Sequence, residues 1–102
     1  MSDVIALIFD FDDTLAPDST SGFLESIGVD TRRFWTECVD PLLAQDWDPV
    51  PAYLHEMIRH SAQRPEGPIT QSMLQAWGQR LPLHTGVETV FGRLREQVRQ
   101  VH

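Results

Sequence analysis

Asp10, Asp12, Asp13 and Thr14 place three carboxylates and a hydroxyl in one short stretch. Asp10 and Asp12 are two residues apart, so their side chains share a side where the chain is extended. Two carboxylates held close divide into one ionised and one protonated member. An ionised aspartate attacks phosphorus and forms an aspartyl-phosphate. A protonated neighbour donates to the leaving oxygen and then takes a proton from the hydrolytic water. Clustered carboxylates also repel a phosphate unless a divalent cation intervenes, and hard oxygen donors of this kind suit Mg²⁺. Asp10 and Asp12 are the candidate catalytic and metal-binding residues, with phosphoryl transfer as their chemistry.

The elements that must position them follow from pattern. Val4-Ile5-Ala6-Leu7-Ile8-Phe9 is a continuous β-branched and aromatic run, which predicts a strand buried on both faces. That is the setting of a parallel sheet covered by helices, where ligand sites lie at the carboxyl ends of strands. From 19 to 80 the pattern is helical. A helix over 20–27 is stopped by Gly28, and Thr31 is placed to cap a second that carries Phe34, Trp35, Cys38, Val39, Leu42 and Leu43. Pro41 predicts a kink or break within it. Pro51 suits the first turn of a third helix, with Tyr53, Leu54, Met57 and Ile58. Arg64 to Pro68 reads as a turn, and Thr70 caps a fourth helix with Met73, Leu74 and Trp77. Val87, Val90, Phe91, Leu94, Val98 and Val101 then form a helical stripe, preceded by Thr85 as a cap and by Gly86.

The stretch from Ile5 to Leu15, an apolar strand followed by Asp-x-Asp-x-Thr-Leu, resembles the first motif of the haloacid dehalogenase superfamily. The resemblance implies Asp10 as nucleophile and Mg²⁺ ligand. It implies Asp12 as general acid/base that lends its backbone carbonyl to the metal, and Thr14 as a residue that holds the turn and contacts substrate. Many members have Gly at the position of Asp13. The implied fold is α/β: a Rossmann-like core represented by its first strand and one returning helix, with a mainly helical cap. Residues 1–18 and 81–102 would begin and rejoin that core, and 19–80 would form the cap. The implied activity is a Mg²⁺-dependent phosphatase acting on a small phosphorylated metabolite, with dehalogenation and phosphonate cleavage open to the same nucleophile.

The family's later motifs have no counterpart. No strand ending in Ser or Thr follows the last helix, and the chain has no lysine. Beyond Glu66 the only acids are Glu88 and Glu96, both in the last helical stretch. The chain thus resembles the N-terminal part of such an enzyme, expected to be a poor catalyst alone. A partner or a missing C-terminal segment would complete its sheet. The alternative is a non-catalytic interaction module that folds against a partner chain.

Other constellations carry less. An EF-hand reading begins with Asp10, Asp12 and Thr14 but meets Leu15 where Gly is needed and Ser21 where Glu is needed. A receiver-domain reading lacks a phospho-accepting Asp on a later strand. His55 and His60 are five apart, which is not a same-face metal spacing. His84 reads as a turn residue ahead of a substrate contact, Cys38 as a small core residue, and Trp35, Trp47 and Trp77 as packing residues.

The chain has 102 residues and a net charge of −7, with 15 Asp and Glu against 8 basic side chains. That balance argues against a nucleic-acid surface. Arg93, Arg95 and Arg99 form a basic run of the kind that ordinarily marks a solvated helix face. No apolar run approaches the ~20 residues of a membrane span, and no export signal is visible. One cysteine fits a reducing compartment. The expectation is a cytoplasmic protein.

Overall fold

The structure is a computed structural model that describes residues 3–101. Among these residues it is mainly helical, with no strand or sheet. Residues 3–11 form neither helix nor strand, and the only β-type pairing is an isolated bridge between Asp12 and Ala16. This corrects the expected α/β Rossmann-like core with Val4–Phe9 as its first strand. The physical reason lies in the ladder: a strand exists through hydrogen bonds to a neighbour, and no second strand is present among the described residues. The run is also not buried on two faces, since Val4 is 97% and Ile8 93% exposed.

The chain divides into two compact units, Met1–Ser19 with Leu81–His102, and Thr20–Arg80. Helix α1 (Ser19–Ser26), whose first residue still belongs to the first unit, ends at Gly28 of the second, whose φ of 86° is the left-handed conformation glycine adopts without steric cost. The Gly28 N–H donates to the Glu25 carbonyl at 3.0 Å and the Val29 N–H to Leu24 at 2.9 Å, a Schellman pair. The next helical run is α2 (Thr31–Arg33), a π-helical stretch Phe34–Val39, and α3 (Asp40–Leu43). Its N-cap is Asp30, whose carboxylate accepts from the Arg33 N–H at 3.2 Å, and not Thr31, which is already helical and donates its hydroxyl to Glu25. Pro41 does not break the run. The wide π turn, with the Asp40 N–H reaching Trp35, precedes the point where a proline ring would strike the carbonyl of Glu37 in α-helical register.

Helix α4 (Pro49–Gln63) starts at Pro49 and contains Pro51 in its first turn, where a missing N–H costs nothing. Thr70 caps α5 (Gln71–Arg80) by accepting the Met73 N–H at 3.2 Å. Phe23, Leu24, Phe34, Val39 and Ala52 form the core, flanked by Trp35, Tyr53, Met57, Met73 and Trp77. Burying each large side chain contributes about 1.5–3 kcal/mol. The Trp35 ring meets Phe34 and Tyr53 edge-on at 5.4 and 5.7 Å, and its indole N–H donates to the Ser21 hydroxyl at 2.9 Å. Gly22 lets α1 approach Trp77: a Cβ there would lie 2.6 Å from the indole ring. Glu56 is the one buried charged side chain among the described residues, and it pairs with Arg59 at 3.5 Å.

The first unit contains the Asp10–Thr14 stretch and α6 (Val87–Val101). Gly86, at φ 93°, turns the chain into α6, and its carbonyl accepts the Thr89 and Val90 N–H groups. Phe9 meets Phe91 of α6 edge-on, with ring centroids 5.5 Å apart. The helical stripe is only half covered: Val87, Val90 and Leu94 are partly buried, whereas Val98 and Val101 are exposed.

Candidate functional site

The carboxylate cluster sits on a turn closed by one acceptor. The Thr14, Leu15 and Ala16 N–H groups all point to the Phe11 carbonyl, at 3.2, 3.0 and 3.2 Å. Asp13 supplies the reversal with φ of 61°, in the left-handed region that aspartate tolerates better than branched residues. Ala16 at the end of the turn is fully buried. The Leu15 carbonyl accepts the His84 N–H at 2.8 Å, which ties the turn to the segment leading into α6. The His84 carbonyl in turn accepts the Val87 N–H at 3.1 Å at the entry to α6.

The two principal carboxylates are held differently. Asp12 is half-buried, and its Oδ1 accepts the Ser19 N–H at the start of α1 at 3.0 Å. That contact satisfies one of the free donors of a helix N-terminus and fixes the Asp12 rotamer. Asp10 is exposed, and among the described residues its Oδ2 receives only a long hydrogen bond, from the Thr14 hydroxyl at 3.5 Å. Asp13 is exposed too. The turn thus carries one open carboxylate, bonded by Thr14, and one anchored carboxylate.

No family model, curated protein or solved structure matches the chain. Among the described residues, no group of three or more His, Cys, Asp or Glu side chains gathers as a metal site. Asp10 and Asp12 remain a pair of hard oxygen donors. Mg²⁺ is typically held by one or two protein carboxylates, with water and phosphate oxygens completing its octahedron. The pair fits that minimal share and offers no more.

One feature was not singled out from the sequence. Thr14, Leu15, His84 and Arg93 line a common concavity of about 590 Å³. Arg93 is exposed, as expected of a solvated basic run, and it also borders this concavity, whereas Arg99 pairs with Glu96 at 3.6 Å. The signal available was the register of α6: Arg93 lies three residues beyond Val90 and next to Leu94, at the edge of the apolar stripe. His55 meets the Trp47 ring at a tilt of 51° with centroids 5.0 Å apart, and Cys38 is half-buried beside the core.

Proposed function

We propose that the Asp10–Thr14 turn is a phosphoryl-transfer site of the haloacid dehalogenase type. The observation that supports this best is the division of labour on the turn: Asp12 is anchored by Ser19, while Asp10 is open to a substrate. In the first step an Asp10 carboxylate oxygen attacks phosphorus, the phosphorus–oxygen ester bond breaks, and Asp12 gives a proton to the departing alkoxide. In the second step Asp12 takes a proton from water, the water oxygen attacks phosphorus, and the Asp10 carboxylate leaves as inorganic phosphate forms. Asp10 and the Asp12 backbone carbonyl would hold Mg²⁺, which when bound offsets charge between carboxylates and phosphate. Thr14 steadies the Asp10 carboxylate through its hydroxyl.

The substrate class is a small phosphorylated metabolite, since an acidic chain repels nucleic acid. The single cysteine fits a cytoplasmic setting. Among the described residues no helix is long and apolar enough to cross a membrane.

The test is to incubate the Asp12→Asn protein with Mg²⁺ and p-nitrophenyl phosphate, quench in acid and record the intact mass. One added phosphoryl group is expected, removable by hydroxylamine and absent when Asp10 is also changed to Asn. A phosphoryl group that persists without Asp10, or none at all, overturns the reading. A second reading is favoured by the exposure of Val4 and Ile8: a non-catalytic module whose apolar N-terminal run docks on a partner chain. It predicts that the purified chain takes no phosphoryl group under any of these conditions.

A further inference from the structure

Within the unit that contains α6, the concavity of about 590 Å³ is bounded by Phe9 and Leu15 on one side and by α6 on the other. Its size lies in the range of small-molecule sites. Its chemistry runs against the rest of the chain. In a protein with a net charge of −7, the lining has no Asp or Glu, while Arg93 and His84 both border it. The Arg93 guanidinium has no ion pair or hydrogen bond among the described residues, unlike Arg33, Arg59 and Arg99, which each pair with a nearby glutamate. The remaining lining is mostly apolar, with threonines and Gln97 as its other polar residues.

We infer that this concavity binds a small organic anion with an apolar body, its charged end held by Arg93 with His84 beside it. An acidic chain that leaves Arg93 unpaired on an apolar-walled hollow offers there a positive charge to anions that its surface otherwise repels. A guanidinium recognises carboxylate and phosphate oxygens through paired N–H donors. The apolar walls give the ligand's hydrocarbon part an exit from water. The site shares Thr14 with the proposed phosphoryl-transfer turn but depends on neither Asp10 nor Mg²⁺.

Hexanoate is a suitable probe, titrated without Mg²⁺ and followed by amide chemical shifts. Hexanol serves as its neutral counterpart and acetate as its counterpart without an apolar body. Hexanoate is expected to shift residues of the 84–97 segment and to bind about tenfold or more tightly than either counterpart, as one charge-assisted contact or a buried alkyl chain provides. Arg93→Gln should remove that preference over hexanol, and Arg95→Gln, on the same helix but not lining the hollow, should leave it intact. Equal binding of hexanoate and hexanol, an equal loss in the two arginine variants, or no shift at all overturns the inference. None of these outcomes bears on phosphoryl transfer to Asp10, which is read by mass in a separate experiment.

Discussion

At the level of single residues, Asp10 and Asp12 differ in what holds them. Asp10→Asn should abolish phosphoryl transfer in the mass assay, because an amide is a poor nucleophile and a weaker Mg²⁺ ligand. Asp12→Asn should slow turnover by ~10²–10⁴, the usual worth of general acid–base help, while still allowing Asp10 to be loaded. The amide oxygen at position 12 can still accept the Ser19 N–H, so the turn should persist. If Asp12→Asn lost all loading while Asp10→Asn kept it, the roles would be reversed. Asp13 makes a separate prediction. Its left-handed φ costs a residue with a Cβ about 1–2 kcal/mol, more for a branched one. Asp13→Gly should therefore be neutral or stabilising in thermal denaturation, and Asp13→Val destabilising by about that amount.

At the level of elements, the caps and close approaches can be weighed. Thr70→Ala removes the acceptor for the Met73 N–H and should cost ~1 kcal/mol in urea unfolding. Gly22→Ala pits two effects against each other. Alanine in a helix gains up to ~1 kcal/mol over glycine, but a Cβ 2.6 Å from a rigid indole forces Trp77 or α1 to shift, at about 1–3 kcal/mol. The clash should win, and Gly22→Ala combined with Trp77→Leu should recover part of the loss if the ring is its cause. Local chemistry of this kind was readable in advance. Gly28 and Thr70 announce their roles because each acts through hydrogen bonds a few residues away. The cap at Thr31 was misplaced by one residue, since Asp30 offers an equally good acceptor. The π turn ahead of Pro41 was not readable, because proline predicts an obstacle and says nothing of how a helix widens to pass it.

At the level of the whole molecule, the Val4–Phe9 run shows where sequence reading stops. Its composition is that of a buried strand, but composition supplies no partner, and the described residues contain none. That Arg93 and Thr14 line one concavity was hidden for a related reason: it joins residues far apart in sequence, which no local pattern records. The same features bear on rate. Asp10 lies exposed, where water screens every charge, and the chain has no lysine to offset a phosphate. Loss of one preorganised charge-stabilising group alone costs ~10²–10³ in rate. The purified chain should therefore turn over p-nitrophenyl phosphate well below the ~1–10³ per second of ordinary enzymes. A steady-state assay at saturating Mg²⁺ checks this, and an ordinary turnover number would show that the turn suffices without such a group.

The placement of the aromatic residues has a spectroscopic consequence. Trp35, Trp47, Trp77 and Tyr53, all the strong fluorophores of the chain, belong to the Thr20–Arg80 unit. Intrinsic emission therefore reports the melting of that unit alone and is silent about the one that bears Asp10. Far-ultraviolet ellipticity, by contrast, also sees α6. Coincident transitions by the two probes would mean that both units unfold as one cooperative body. If they separate, a sample judged native by its tryptophan emission can already have lost the turn on which Asp10 and Asp12 are displayed.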